Sequence, residues 1–227
     1  MPTKPKPRIT AWSYSRLNDY QQCPLRAKLK YVDRLKEPGS AAMDRGGLIH
    51  ESAAAYIRGE LRCLPKDLSL FRKEFKVLRE LNKVTPLAIE SQWAFTSKWS
   101  VCDWFGKEAW CRMVIDLATP PVMDVLSIVD YKTGRNRFAD QRPQLELYAI
   151  GGFLRYPKAK VVHPEFWYTD QGEVEEDEFH RKDLEKLLAK WAKATKPMLS
   201  DKTFAPRPSG SCRWCHFSAA KAGPCKF

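Results

Sequence analysis

The sequence lacks the long apolar runs that membrane-spanning helices require. No stretch approaches the roughly 18 consecutive apolar residues of such a helix. Residues 1–8, MPTKPKPR, also have no apolar core of the kind found in signal peptides. Hydrophobic residues nevertheless make up 44% of the chain, with eight Trp, eight Tyr and eleven Phe, which is enough for a packed core. We therefore expect a globular cytoplasmic protein that does not associate with a membrane.

An even set of cysteines, which is typical of a disulfide framework, is also absent. The chain has seven cysteines, and an odd number without a secretion signal argues against structural disulfides. We interpret three that stand singly as small core residues: Cys63, Cys102 and Cys111. Three others crowd the last sixteen residues: Cys212, Cys215 and Cys225. Two thiolates separated by two residues can bind one metal ion or cluster, so this second group indicates such a site.

Acidic residues are scarce at both ends of the chain. Residues 1–36 carry nine Lys and Arg against two Asp, and residues 190–227 carry eight against one, whereas the middle of the chain has a net charge of −2. A basic excess confined to the ends favours one or two surfaces for a polyanion, with nucleic acid as the first candidate. A basic tail that serves only solubility is the alternative.

The hydrophobic pattern predicts helices alternating with strands. Helices are predicted over 13–31 with a break at Pro24, over 48–61, 143–156 and 180–195, with a helical or irregular segment over 68–83. Strands are predicted over 88–95, 98–104, 109–119, 122–132 and 160–168, with an edge strand over 173–178. We expect Pro143 in the first turn of its helix and Pro197 at the end of the last one. This order indicates an α/β core with helical additions.

Two carboxylates and a lysine lie on two consecutive predicted strands. Asp130 and Lys132 are alternate residues, so they project from the same side of a strand. Alone they could form a surface ion pair worth less than ~1 kcal/mol. Asp116, however, lies in the apolar run MVIDL, where a carboxylate is costly unless it is paired or binds a cation. Two Asp side chains on neighbouring strands suit Mg²⁺ or Mn²⁺, and a nearby lysine suits a scissile phosphate.

These residues resemble a known family. Asp116 followed by Asp130-Tyr131-Lys132 is similar to the D…(D/E)-x-K signature of PD-(D/E)XK nucleases. Residues 45–51, RGGLIHE, resemble the RG…H-E segment of the RecB-like branch, and residues 144–148, QLELY, resemble its Q-x-x-x-Y motif. The resemblance extends over most of the chain, from residue 13 to residue 225. It implies an α/β fold of the restriction-endonuclease type, with a central mixed sheet flanked by helices and a small helical, cysteine-containing lobe formed by both termini.

The resemblance also implies a Mg²⁺- or Mn²⁺-dependent deoxyribonuclease. Its catalytic residues would be Asp116, Asp130 and Lys132. Its metal ligands would be His50, Asp116, Asp130 and the backbone carbonyl of Tyr131. Gln144 and Tyr148 are similar to the pair that orients the lysine and the DNA. Glu51 and Glu90 are candidate supporting acids. We expect replacement of the Tyr131 side chain to be mild, and we expect the pair Gly46-Gly47 to let its helix approach the sheet closely.

The cysteines resemble those of iron–sulfur members of the same branch, such as AddB-type subunits and the exonucleases of CRISPR adaptation. In those proteins one cysteine precedes the nuclease core and three follow it. The resemblance implies a [4Fe–4S] cluster bound by Cys23, Cys212, Cys215 and Cys225. The long gap before Cys225 leaves His216 as an alternative ligand, and Zn²⁺ or no metal as alternatives to the cluster. Closing this site would join both basic ends into one lobe.

The predicted organisation has three parts: a basic tail over 1–11, a nuclease domain over 12–199 with its core at about 45–170, and a cysteine cluster over 200–227 that Cys23 completes. The resulting hypothesis is a DNA exonuclease that acts on single strands or duplex ends in recombination, repair or CRISPR adaptation, alone or with a protein partner from such a pathway. Phage recombination exonucleases are among the proteins it resembles, which would place it in the host cytoplasm. A structure-specific endonuclease with the same site and a non-catalytic, cluster-stapled DNA-binding module are the alternatives.

Overall fold

The computed structural model describes residues 8–135 and 138–227, which form two compact units. One unit is Ser40–Leu188, called here the sheet unit. The other, called here the terminal unit, combines the described residues up to Gly39 with Ala189–Phe227. Part of the predicted tail over 1–11 lies outside the described residues, and the predicted domain boundaries stay predictions. No helix within the described ranges is long and apolar enough to cross a membrane.

The terminal unit contains helices from both ends of the chain. Helix α1 spans Tyr14–Gln22 and helix α2 spans Pro24–Tyr31, so the predicted break at Pro24 is confirmed. Ser13 caps α1 by accepting a hydrogen bond from the Arg16 amide. From the other end of the chain, Trp191 stacks on Trp12 at 5.9 Å between ring centroids. The chain termini therefore share one core.

In the sheet unit, helices precede and interrupt a run of strands. The helices are α3 (Ala41–Arg58), α4 (Arg72–Val84), which follows a 3₁₀ helix over Lys66–Phe71, and α5 (Phe138–Arg155). The strands are β1 (Ala88–Phe95), β2 (Val101–Cys102), β3 (Cys111–Ala118), β4 (Val125–Lys132), β5 (Val161–Tyr168), β6 (Glu173–Glu176) and β7 (Phe179–His180). Helix α6 (Leu184–Ser200) begins in this unit and continues into the terminal unit.

The strands form one mixed sheet in the order β2-β1-β3-β4-β5-β6, with β7 also paired to β5. Strands β4 and β5 are parallel, as expected for a crossover through α5, and the other pairs are antiparallel. The acidic strand β6 lies at an edge, where its charge discourages pairing with other chains. The predicted central mixed sheet flanked by helices is thereby confirmed.

Alternate residues of β4 pack against different helices. Val129 and Tyr131 belong to a cluster with buried residues of α3 and α4, among them Ile57 and Phe75. On the α5 side, a side chain at Gly152 would meet Leu126 Cδ2 at 2.6 Å, and one at Gly151 would meet Met113 Sδ at 2.6 Å. Two successive glycines thus allow α5 to lie directly on β3 and β4. This contact fixes the distance between α5 and the strand ends.

Three helices extend further than the sequence predicts. Helix α3 begins seven residues before the predicted start at 48, because Ser40 caps it and Gly46-Gly47 lies within it. Helix α5 begins before Pro143, and α6 continues past Pro197 to Ser200. A proline removes one helical hydrogen bond, and packing of the neighbouring turns outweighs that loss at both positions. The predictions that Pro143 lies in the first turn of its helix and that Pro197 ends the last helix are both wrong.

The three single cysteines do not share one environment. Cys111 is buried in β3, as predicted, whereas Cys102 is partly exposed and Cys63 is exposed. Burial raises the pKa of the Cys111 thiol well above its usual range, so Cys111 is an unreactive core residue. The core prediction for Cys63 is wrong, because it lies in the exposed connection between α3 and the 3₁₀ helix.

Candidate active site

The two predicted aspartates lie side by side on neighbouring strands. The antiparallel register of β3 and β4 pairs Leu117 with Val129, so Asp116 and Asp130 are the next residues along each strand. Both carboxylates are buried, at 6% and 5% exposure. Asp116 Oδ2 accepts a hydrogen bond from the Tyr131 amide at 2.8 Å. The two buried negative charges require a compensating positive group.

Helix α3 and strand β1 each bring one further ligand to Asp116. His50 Nδ1 lies 3.2 Å from Asp116 Oδ2 and 3.9 Å from Glu90 Oε1. One potential ligand atom from each of His50, Glu90 and Asp116 lies within 4.8 Å of the other two. Glu90 has a backbone φ of +49°, an uncommon left-handed conformation for a residue within a strand. The three side chains form a potential metal site.

Asp130 and Lys132 project together, as their spacing predicts. Asp130 Oδ2 lies 2.6 Å from Lys132 Nζ, and Lys132 Nζ also donates to Gln144 Oε1 at 3.1 Å. Gln144 Nε2 donates to the Tyr148 hydroxyl at 2.6 Å, and that hydroxyl donates to Asp130 Oδ1. Lys132 Nζ lies over the Phe166 ring, 4.5 Å from its centroid. Gln144 and Tyr148 of helix α5 thus hold Asp130 and Lys132 in place.

Burial and mutual repulsion perturb the titration of the site. Burial and the charge of Asp130 raise the pKa of Asp116, and burial and the charge of Asp116 raise the pKa of Glu90. Burial lowers the pKa of His50, but the hydrogen bond and charge of Asp116 outweigh it and raise that pKa to about 9. The raised pKa favours a protonated His50 at neutral pH, which compensates the charge of Asp116, while Lys132 compensates that of Asp130. A divalent cation could replace that proton.

An open cleft of about 790 Å³ lies beside the potential metal site, and His50 and Glu90 line it. Gly46 and Gly47 form part of its wall. A side chain at Gly47 would meet no atom within 4 Å, and one at Gly46 would make ordinary contact with Thr133 Oγ1 at 3.7 Å. The predicted close approach of these glycines to the sheet is therefore wrong. They keep one wall of the cleft free of side chains.

Arg45, in the motif-like segment RGGLIHE, makes an ionic cross-link within the sheet unit. Its guanidinium binds Asp170 at 2.6 Å and Asp67 at 3.0 Å. Asp170 Oδ2 also accepts from the Gly134 amide at 2.8 Å, directly after β4. The contacts join the start of α3 to the loops that follow β4 and β5. The ion pairs of Arg45 thus help to position these loops.

Tyr131 has a larger structural part than the sequence indicates. Its side chain is buried, and its ring lies 5.5 Å from that of Phe75, 5.8 Å from that of His50 and 6.1 Å from that of Trp167. The structure therefore predicts a severe effect where the sequence indicated a mild one, because removing the ring would leave a cavity in the cluster next to His50.

The four cysteines assigned to a metal centre all line one cavity in the terminal unit. Leu25, Leu29 and Phe217 surround it as well. The backbone amides of Arg207 and Ser209 approach the sulfurs of Cys23 and Cys212, each at 3.4 Å. Amide donors of this kind stabilise thiolates and tune thiolate-bound clusters. The arrangement places four cysteines around one cavity whose other lining residues are partly apolar and partly polar, with Arg26 and Arg207 among them.

The long gap before Cys225 is closed by a tight fold of the chain. The Cys225 amide donates to Phe217 O at 2.9 Å, which brings Cys225 close to Cys215. A side chain at Gly223 would lie 2.3 Å from the Phe217 carbonyl carbon, so only glycine fits there. His216 is exposed and does not line the cavity. The geometry favours Cys225 over His216 as the fourth ligand.

Comparisons with known proteins bear on this geometry. The sequence profile of the PD-(D/E)XK nuclease superfamily matches residues 11–120 and 112–220. No curated protein sequence matches the chain. Among solved structures, a candidate exonuclease from Eubacterium rectale has a TM-score of 0.52 at 15% identity, with 91% of this chain and 87% of that chain covered. The protein SSO0001 has a TM-score of 0.43 at 14% identity, with 99% and 91% covered, which is too low to support an argument. The family profile covers nearly the whole chain, and the chain therefore belongs to the PD-(D/E)XK nuclease superfamily.

Proposed function

We propose that the protein is a Mg²⁺- or Mn²⁺-dependent deoxyribonuclease that degrades single-stranded DNA or duplex ends as an exonuclease. The observation that carries the proposal is the grouping of His50, Glu90 and Asp116 within 4.8 Å, next to the ion pair of Asp130 and Lys132. Two carboxylates and one imidazole suit a small divalent cation. Glu90 Oε1 is buried without a hydrogen bond from any described residue, and coordination would satisfy it.

In this proposal His50, Glu90 and Asp116 bind the cation, and Asp130 and the Tyr131 carbonyl complete its surroundings. Such a cation supplies Lewis-acid charge for hydrolysis of a phosphodiester. Asp116 Oδ2 accepts a hydrogen bond from the Tyr131 amide and lies 3.2 Å from His50 Nδ1, so the orientation of this carboxylate is already restrained. The side chains therefore need little rearrangement to accept the ion.

Lys132 would act on the phosphate. Its ammonium group is held by Asp130 and Gln144, which leaves one of its three N–H bonds for a phosphate oxygen. Positive charge at that point stabilises the negative charge that builds up in the transition state. Gln144 and Tyr148 would hold the orientation of Lys132 through Asp130 rather than contact the reacting atoms.

The exonuclease mode is the finer part of the proposal, and the candidate exonuclease from Eubacterium rectale has the same fold. Linear and circular single strands of the same sequence, incubated with Mn²⁺, test it. We expect stepwise loss of the linear strand and no cutting of the circle. Cutting of the circle would assign the site to an endonuclease. Binding that persists in EDTA, with no cleavage in Mg²⁺ or Mn²⁺, would identify a non-catalytic DNA-binding module. We also propose that the protein acts in the cytoplasm, in recombination, repair or CRISPR adaptation.

The terminal unit would bind a [4Fe–4S] cluster through the four cysteines of its cavity. The support for this proposal is that Cys23, Cys212, Cys215 and Cys225 line one cavity. A tetrahedral Zn²⁺ site bound by the same thiolates is the alternative.

Anaerobic purification followed by an ultraviolet–visible spectrum and analysis of iron, sulfide and zinc tests the cluster. We expect a brown protein with about four irons per chain, and loss of colour and stability in Cys212→Ser. Cys63→Ser is the matched control, because Cys63 is exposed and lies in the other unit. A colourless protein that contains one zinc, or neither metal, would contradict the proposal.

A further inference from the structure

Trp214 is an exposed aromatic residue that neither the proposed catalytic site nor the cysteine cavity explains. Its side chain is 71% exposed, whereas the other seven tryptophans are buried or partly buried. A tryptophan ring usually contributes to a core or an interface because of its large apolar area. Cys212 and Cys215, on either side in the sequence, line the cysteine cavity, but Trp214 does not. Its ring therefore does not serve to shield the sulfurs.

A cationic side chain lies over each of two exposed aromatic rings within residues 210–227. The Arg213 guanidinium lies 5.3 Å from the centroid of the Trp214 ring, and Lys226 Nζ lies 5.2 Å from that of Phe227. The Ala219 amide donates to Phe227 O at 2.9 Å, which fastens the end of the chain to a short 3₁₀ helix over Ala219–Lys221. The two ring–cation pairs therefore belong to one folded segment.

The charge of the terminal unit matches a polyanion. Its sequence ranges, 1–39 and 189–227, carry 17 Lys and Arg against four Asp and Glu, whereas the sheet unit carries 22 against 23. Residues 202–227 contain five Lys and Arg and no Asp or Glu. The excess positive charge is thus concentrated in the unit that exposes Trp214. Aromatic rings next to cations without acidic neighbours are typical of surfaces that bind single-stranded nucleic acid.

We propose that Trp214 is a stacking platform for an unpaired base of single-stranded DNA, with Arg213, Lys221 and Lys226 binding the flanking phosphates. The inference rests on the proposed function for the choice of DNA as the ligand, and it assigns a binding surface in the terminal unit. Stacking on the ring face requires an unpaired base, since the faces of bases within a duplex are already stacked. Trp214 accordingly favours single strands over intact duplex.

The test is binding of the full-length protein to fluorescein-labelled oligothymidylate in EDTA, where a metal-dependent nuclease does not cut. The oligonucleotide should exceed the ~16 nucleotides of a large single-strand site. Variants are Trp214→Ala, Trp214→Phe and the matched control Phe105→Ala. Phe105 is 87% exposed but lies in the sheet unit. Tryptophan emission is followed in the same titrations, because Trp214 is the tryptophan with the most exposed side chain.

We expect Trp214→Ala to weaken binding about tenfold, Trp214→Phe to retain most of the affinity, and Phe105→Ala to match the wild type. The oligonucleotide should quench the emission of the wild type, and Trp214→Phe should bind without that quenching. If Trp214→Ala fails to fold, this difference in quenching still decides the matter. Unchanged affinity in Trp214→Ala, or unchanged quenching in Trp214→Phe, would overturn the inference and leave a protein partner as the occupant of the ring.

The proposed function and this inference can fail separately. If the wild type cuts DNA and the Trp214→Ala variant binds single strands as tightly as the wild type, the inference is wrong and the proposed function stands. If the wild type cuts no DNA in any divalent metal, and Trp214→Ala nevertheless weakens its binding to single strands, the nuclease proposal is wrong and the inference stands. An equal loss of affinity for intact duplex would also contradict base stacking.

Discussion

At the scale of the residue, Tyr131 joins the core to the candidate active site. Its amide holds Asp116, and its ring packs in the cluster behind His50. We expect Tyr131→Ala to lower the free energy of unfolding by about 3–5 kcal/mol, as for other buried aromatic residues. Urea denaturation of the metal-free protein measures this.

Tyr131→Phe is the matched control. The Tyr131 hydroxyl is buried without a hydrogen-bond partner among the described residues, so its removal should be neutral or stabilising. Equal stability of the Ala variant and the wild type would show that the ring does not support the core.

Glu90 is the residue in the metal group whose assignment the sequence left open. We expect Glu90→Gln to weaken Mn²⁺ binding by about ten- to a hundredfold, because it removes a charged oxygen ligand at almost constant volume. Isothermal titration calorimetry measures the affinity. Glu51→Gln is the control, since Glu51 lines the same cleft but lies outside the group. Equal losses in both variants would indicate a general charge effect instead of coordination.

The protonation of His50 makes metal affinity depend on pH. His50 has a pKa of about 9 without metal and must lose its proton to coordinate, so binding releases a proton below that pH. We expect the affinity for Mg²⁺ to rise by up to about tenfold per pH unit as the pH approaches about 9 from below, and to level off above. The raised pKa values of Asp116 and Glu90 act in the same direction. A pH-independent affinity in calorimetric titrations would exclude His50 as a ligand.

At the scale of the element, the close contact between α5 and the sheet sets the position of Gln144 and Tyr148. We expect Gly152→Ala to cost about 1–3 kcal/mol of unfolding free energy, because the added methyl meets Leu126 Cδ2 at 2.6 Å. It should also reduce cleavage by displacing α5 from Asp130. Thermal unfolding and a cleavage assay measure the two effects.

Gly47→Ala provides the comparison. The added methyl would meet no atom within 4 Å, and alanine has a higher helix propensity, so we expect a gain of about 0.5–1 kcal/mol. A destabilisation of Gly47→Ala similar to that of Gly152→Ala would show that the two helices are packed alike, against the structure.

Helices and strands were predicted best where the hydrophobic pattern of neighbouring residues is enough to identify them. The apolar runs of β3 and β4 identified both strands and made Asp116 conspicuous. Helix limits were less predictable, because Gly46-Gly47 was interpreted as a boundary although Ser40 caps the helix further upstream. The sequence named Glu51 and Glu90 as candidates but could not choose between them, since the place of Glu90 depends on a positive φ and on the pairing of β1 with β3. Such long-range pairing leaves no local signal.

At the scale of the whole molecule, the candidate metal site and the excess positive charge lie in different units of the chain. The sheet unit contains the candidate metal site and is almost neutral, and the terminal unit contains the four cysteines of the cavity and all the excess positive charge. Charge at the two ends of the sequence predicted a basic lobe, and both ends share a core through Trp12 and Trp191. The exposure of Trp214 was not predictable, because CRWC is compatible with a buried or an exposed ring.

Cleavage of end-labelled single-stranded DNA with Mn²⁺, by the wild type and by Lys132→Ala, tests the catalytic assignment most directly. In the proposal Lys132 acts on the phosphate, and its removal should leave folding and DNA binding largely intact. We expect the wild type to cut the DNA and Lys132→Ala to lose at least about a hundredfold in rate, with DNA affinity in EDTA almost unchanged. Near-full activity of Lys132→Ala would contradict the assignment.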